Sequence, residues 1–221
     1  MTVVNPFAFE GTNANLPPNE RRAIMIFGRF QPPTKAHMRM IDLMQLQQGA
    51  IGADEFVFVS PTVDNDRNPM SMQERIVFLK FHAKRSTGIM GDSSLKSPWE
   101  ALQWLASMGY THIYMMAGND RLKKYHDFRN YINHPDPTKN LPGVKEITLW
   151  STGNRDPDAE GMEGVSATGA RLAAKEGRYY DFSDMVADCD VYDRRALYTS
   201  VRRGLGINEI TERVTTKSRD S

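Results

Sequence analysis

Apolar positions along this chain switch between runs and helical spacing. Residues 23–27 form a short unbroken apolar run that stops at Gly28, the pattern of a strand buried on both faces of a parallel sheet. After a loop broken by Pro32 and Pro33, Met38, Ile41, Leu43, Met44 and Leu46 recur at helical spacing until Gly49. Residues 55–59 repeat the strand pattern and close on Ser60-Pro61. Ser71-Met72-Gln73-Glu74 has the spacing of a capping box, and Ile76, Phe78, Leu79 and Phe81 continue it as an amphipathic helix. Ile89-Met90 predicts a very short third strand. Ser97-Pro98-Trp99-Glu100 is a second capping box with proline at the first helical position, opening a helix to about Met108. Residues 112–116 predict the next strand, Gly118-Asn119-Asp120 a turn, the stretch to Tyr131 a helix, and 146–150 a fifth strand. Further helices are predicted from near Thr168 and over 190–203.

Strands alternating with helices predict an α/β fold, a Rossmann-like doubly wound parallel sheet of about five strands with a helical C-terminal segment. The organisation reads as an irregular arm over residues 1–22, a main domain over 23–177, and a helical extension and tail over 178–221.

Composition narrows the function classes. With 221 residues and 40% hydrophobic residues, the chain is long enough for a full core without disulfides or structural metal. Lys+Arg 28 against Asp+Glu 27 leaves a net charge of +1, which argues against a nucleic-acid partner held by bulk charge. The single cysteine, Cys189, excludes an internal disulfide framework and fits a reducing, cytoplasmic setting. Its acidic neighbours keep the thiol protonated. No apolar run approaches a membrane span, and the first residues lack the pattern of a secretory signal. The oligomeric state stays open, a homo-oligomer included.

In doubly wound sheets ligands sit beyond the carboxyl ends of the strands, so chemistry is expected in the loops after them. In the first such loop Thr34 and His37 lie three apart where a helix begins, with orphan N–H groups at its N-terminus, which suits phosphate. The alternative is a Pro-rich turn with a histidine closing a helix cap. In the last, Ser166, Thr168 and Arg171 sit at another helix start; a guanidinium and two hydroxyls can hold several phosphate oxygens, or simply cap the helix. Arg29 is read as a phosphate contact rather than a solvated side chain. Asp120 either accepts from a ribose hydroxyl or caps the next helix. Trp99 either stacks an aromatic acceptor or packs at its helix start. Arg75 is read as pairing with a carboxylate on its own helix. His82, His112, His126 and His134 share no metal-ligand spacing, and no metal ligands are expected among the protein residues.

Taken together, these segments resemble the nucleotidyltransferase superfamily. Gly28 to His37 is similar to its (H/T)xGH signature in the GRFQP form of archaeal nicotinamide mononucleotide adenylyltransferases. Val165 to Arg171 is similar to its ISxTxxR signature. Asn68-Pro69-Met70-Ser71-Met72-Gln73-Glu74-Arg75-Ile76 resembles the archaeal NPFTxxERI segment, and Ser97 to Gln103 the TWESLQ segment whose Trp stacks on nicotinamide. Gly118-Asn119-Asp120 matches a Gly-x-Asp turn near the nucleotide ribose. The resemblance implies transfer of a nucleotidyl group, AMP from ATP, to a phosphorylated acceptor such as nicotinamide mononucleotide, as in NAD biosynthesis, with Mg2+ carried by the triphosphate. It implies nucleotide contacts by Gly28, Arg29, Phe30, Gln31, Thr34, His37, Gly118, Asp120, Ser166, Thr168 and Arg171, catalytic roles for His37, Thr34 and Arg171, and acceptor binding by Trp99. Two departures keep alternatives open. Ala36 stands where the motif has glycine, which leaves a non-catalytic nucleotide-binding or assembly protein as a rival. Residues 163–168 also resemble the EGISTT of cytidylyltransferases, so CTP with a sugar or alcohol phosphate is the other.

Overall fold

The structure is a computed structural model that describes residue 17 and residues 20–64, 66–83, 88–153, 166–186 and 190–207. Most of the N-terminal arm, residues 163–165 of the second phosphate loop, Cys189 and the tail from 208 onward lie outside the described residues. The elements are β1 (Arg22–Gly28), α1 (Lys35–Ile51), β2 (Asp54–Val59), α2 (Met72–His82), β3 (Ile89–Met90), α3 (Pro98–Ser107), β4 (His112–Ala117), α4 (Asn119–Tyr125), which runs into a 3₁₀ turn (His126–Tyr131), β5 (Glu146–Ser151), α5 (Ala167–Lys175), α6 (Tyr179–Met185) and α7 (Val191–Gly204).

The five strands form one sheet in the order β3-β2-β1-β4-β5, every pairing parallel. This is the doubly wound α/β architecture the apolar runs predict. Alternation along the strands assigns the two faces. Met25, Phe56, Phe58, Ile113 and Met115 pack under Leu102 and Leu105 of α3. Ile24, Ile26, Val57 and Val59 pack against Met40, Ile41 and Met44 of α1. Burial on both faces is why these strands read as continuous apolar runs rather than as alternating ones.

Helix ends follow local chemistry. At α2 the capping box is complete, with the Glu74 N–H donating to Ser71 Oγ at 3.2 Å and the Ser71 N–H to Glu74 Oε2 at 2.9 Å. Helix α1 runs past Gly49, where the sequence pattern ends it. The left-handed cap is Gly52 (φ 61°), whose N–H reaches the Gln48 carbonyl. Helix α6 has no counterpart in the sequence reading, because it is seven residues long and has no side-chain cap.

Helices α5, α6 and α7 build a third apolar cluster from Ala170, Ala173, Phe182, Val186, Leu197 and Val201 around Met70. Residues on both sides of position 177 contribute to it. Ser200 donates to Glu74 at 2.7 Å and Arg202 to the Ala174 carbonyl at 2.7 Å, and Arg203 pairs with Glu74. At Gly204 the backbone approaches so closely that a Cβ would lie 2.0 Å from the Pro69 carbonyl oxygen. The C-terminal helices are thereby fixed against the segment that leads into α2. Among the described residues no helix is long and apolar enough to cross a membrane.

Candidate active site

Strand order reverses between β1 and β4, and there a cleft of about 500 Å³ opens at their carboxyl ends. It is lined by the loop after β1, the start of α1, Arg67 and Asn68 after β2, the Gly118 turn, Thr152-Gly153 after β5 and the start of α5.

The loop after β1 is folded tightly. Phe30 takes a left-handed backbone (φ 50°), which costs a non-glycine residue roughly 1–3 kcal/mol and clusters at functional sites. The turn sends the Phe30 ring back over Gly28, where a Cβ would sit 2.8 Å from it. Phe30 is buried and presents its ring to His37, centroids 5.0 Å apart. Gln31 is also buried, and its amide exchanges two hydrogen bonds with the Met70 backbone, at 2.8 and 3.0 Å. Gln31 thus ties the first loop to the second. Its side chain has a structural task that the motif reading does not contain, while the residue still lines the cleft.

His37 stands in the first turn of α1. The Thr34 backbone N–H donates to its Nδ1 at 3.1 Å, and Thr34 Oγ1 lies 2.8 Å from the same nitrogen. A backbone N–H only donates, so Nδ1 is the acceptor and the neutral ring carries its hydrogen on Nε2. The pair thus closes the helix cap while also lining the cleft.

The second signature arrives from 140 residues away. Arg171 Nη1 donates to the Gln31 carbonyl at 2.5 Å, and Nη2 to Thr168 Oγ1 at 3.1 Å. Ser166 caps α5 by accepting from the Gly169 N–H at 2.9 Å. Each hydroxyl still has its own hydrogen to donate. Burial lowers the Arg171 pKa, and the neighbouring Arg29 charge lowers it further.

Among the described residues, five arginines (Arg29, Arg39, Arg67, Arg121 and Arg171) and one carboxylate, Asp120, line the cleft. The described lining of the cleft is thus predominantly positive, which favours an anion. Arg39, Arg67 and Arg121 are absent from the sequence reading; the signal available was their proximity to His37, Asn68 and Asp120. Arg121 also donates to the Phe27 carbonyl at 3.3 Å. Arg67 is set by Asp64, which accepts backbone N–H bonds from Asp66, Arg67 and Asn68. Those bonds, the Arg67 N–H first, hold the Asp64 carboxyl down at about 2. Among the described residues no group of three or more His, Cys, Asp or Glu is placed to hold a metal.

Arg75 stands where the sequence reading did not put it, and Trp99 takes one of its two expected arrangements. Trp99, expected to stack an acceptor, does not line the cleft. It is half-buried at the start of α3 with ring centroids 4.9 Å from Tyr131 and 5.9 Å from Phe128, which is the packing alternative. Arg75 is not in a helix-surface ion pair. It is fully buried, and its guanidinium donates to the carbonyls of Arg29, Thr62 and Ser71. The rest of the expected set, Gly28, Arg29, Phe30, Gln31, Thr34, His37, Gly118, Asp120, Ser166, Thr168 and Arg171, lies together around the cleft.

The sequence matches no protein-family model and no curated protein. Solved structures resemble it. Nicotinic acid mononucleotide adenylyltransferase of Plasmodium falciparum, complexed with APC, superposes with TM-score 0.52 at 15% identity over 86% of this chain and 99% of its own. A candidate nicotinate-nucleotide adenylyltransferase of Vibrio parahaemolyticus gives 0.48 at 15% identity, covering 84% and 94%. Thermotoga maritima TmcAL gives 0.45 at 7%, covering 85% of this chain and 57% of its own. At 15% identity the likeness to the Plasmodium falciparum structure is one of fold.

Proposed function

We propose that this chain is a nucleotidyltransferase, moving AMP from ATP onto the phosphate of an acceptor such as nicotinamide or nicotinic acid mononucleotide, with release of pyrophosphate. The observation that carries the reading is the meeting of two remote signatures: His37 and Thr34 at one helix start, and Arg171 from a second helix start bonded to the same loop. The fold shared with the Plasmodium falciparum adenylyltransferase supports it.

In the proposed reaction an acceptor phosphate oxygen attacks the α-phosphorus while the bond to pyrophosphate breaks. No covalent enzyme intermediate is needed, so the protein's task is alignment and charge stabilisation. His37 donates its Nε2 hydrogen to an α-phosphate oxygen as negative charge grows there. The N-terminus of α1 adds oriented N–H groups. Arg171, with Ser166 and Thr168, holds the β- and γ-phosphates and stabilises the leaving group. Asp120 accepts from the ribose, and Arg29 contacts phosphate. Mg2+ favours phosphate and water oxygens over a protein cage, which fits a cleft whose described lining has one carboxylate; bound to the triphosphate, it would supply charge neutralisation.

The test is a pyrophosphate-release screen of ATP and CTP, with Mg2+, against pyridine mononucleotides and sugar and alcohol phosphates. Acceptor-dependent release from ATP is expected. Release only from CTP replaces the donor assignment, and nucleotide binding without release supports the non-catalytic rival that Ala36 raises.

A further inference from the structure

Arg75 is the largest fully buried side chain in the molecule's described residues, and no carboxylate accepts from its guanidinium. Its hydrogen bonds go to three backbone carbonyls: Nη1 to Arg29 at 2.6 Å, Nη2 to Thr62 at 3.2 Å and Nε to Ser71 at 3.1 Å. Burial pushes its pKa down to about 10, against the opposing pull of the Glu74 charge. A buried charge is expensive unless its hydrogen bonds are made.

What these bonds achieve is visible in the loop after β1. The Arg29 carbonyl belongs to the peptide unit that turns into Phe30, the residue with left-handed backbone. Two residues on, the Gln31 carbonyl accepts from Arg171, and the Gln31 side chain is fixed to Met70. Two guanidiniums therefore grip one short loop from opposite elements, Arg75 from α2 and Arg171 from α5. Between the grips lies Phe30, whose ring supports the edge of His37. The third carbonyl, Thr62, belongs to the loop after β2, so the same side chain registers both loops against each other.

We propose that Arg75 is a positioning residue: by holding the Arg29 carbonyl it sets the Phe30 turn and hence the placement of the His37 ring in the cleft. The catalytic half of this statement rests on the nucleotidyltransferase reading; the geometric half does not. A lysine cannot replace the fork, because one ammonium does not span carbonyls on two loops and a helix cap.

The experiment compares the full-length chain with R75K and R75M, counting folded molecules by circular dichroism and following the His37 ring nitrogens by ¹⁵N NMR, with the His37 signal assigned by its loss in H37Q. With ATP and the acceptor found in the screen, kcat per folded molecule falls tenfold or more in both variants, KM for ATP stays within threefold, and the His37 ring signals shift. If R75M does not fold, R75K is read by the same criteria. Turnover lost only in proportion to folded protein, or His37 signals unmoved in a folded variant, overturns the proposal. If the unaltered chain releases no pyrophosphate from any donor, the functional reading fails and the His37 signals alone decide the positional claim.

Discussion

The Thr34 backbone N–H donates to His37 Nδ1 at 3.1 Å, and this bond fixes the tautomer of the neutral ring. Nε2 is left carrying the hydrogen. His37→Ala removes that donor and is expected to lower turnover on the order of 10²–10³-fold, as for a lost oxyanion donor. Thr34→Val keeps the backbone N–H and is expected to cost far less. Steady-state kinetics of both variants check this; equal losses would put the Thr34 hydroxyl, not the ring orientation, at the centre.

Arg171 binds a carbonyl and a hydroxyl while facing the cleft. Arg171→Ala is expected to lower turnover and to weaken ATP more than AMP, since AMP offers no β- or γ-phosphate. Arg171→Lys restores part of the loss, because an ammonium lacks the planar fork. Kinetics with ATP and AMP affinities by calorimetry separate leaving-group stabilisation from uniform binding.

Trp99 packs on Tyr131 and Phe128, so Trp99→Ala is expected to lower the melting temperature and leave the acceptor KM unchanged. A fully buried Trp→Ala costs about 3–5 kcal/mol, and a half-buried one less. An acceptor KM that rises several-fold at unchanged stability would return Trp99 to a stacking role.

The first signature and both helix-opening serines are legible in the sequence because local chemistry dictates them. A five-residue apolar run ending in Gly28 is too short for a helix and reads as a buried strand feeding a loop, and Ser71 with Glu74 closes its own cap. Arg75 shows what is not legible. On an amphipathic helix it reads as a surface partner for a carboxylate, and only the folded sheet brings the carbonyls of Arg29 and Thr62 to it. Arg121 is hidden in the same way, since its bond to Phe27 spans two strands' ends. Trp99 left two alternatives open in the sequence, because the aromatic residues it packs against, Phe128 and Tyr131, lie far downstream.

The loop that carries Arg67 depends on an ionised carboxylate. Asp64 has its folded pKa lowered from 3.8 to about 2, chiefly by the Arg67 N–H. A depressed carboxylate contributes stability above its unfolded pKa and loses it as pH falls through the folded value. The stability difference between the unaltered chain and Asp64→Ala is therefore expected to be constant above about pH 5 and to shrink toward pH 2. Denaturant unfolding at several pH values measures it; a gap that widens on acidification would contradict the assignment.

Gly204 ends α7 against the Pro69 carbonyl. Overpacking of a close contact costs about 1–3 kcal/mol, and each kcal/mol lowers Tm by roughly 2–4 °C in a chain of this size. Gly204→Ala is expected to reduce Tm on that scale, because the obstructing atom is backbone and cannot swing away. An unchanged thermal scan would mean that α7 shifts freely on the segment leading into α2.

The central claim is transfer of a nucleotidyl group in this cleft, and the mass of the acceptor after incubation with ATP and Mg2+ tests it most directly. The account predicts an acceptor heavier by one AMP unit, formed together with an equal amount of pyrophosphate, and almost none of either with the His37→Ala chain. An acceptor of unchanged mass beside folded, ATP-binding protein would contradict it, as would product formed at the same rate without His37.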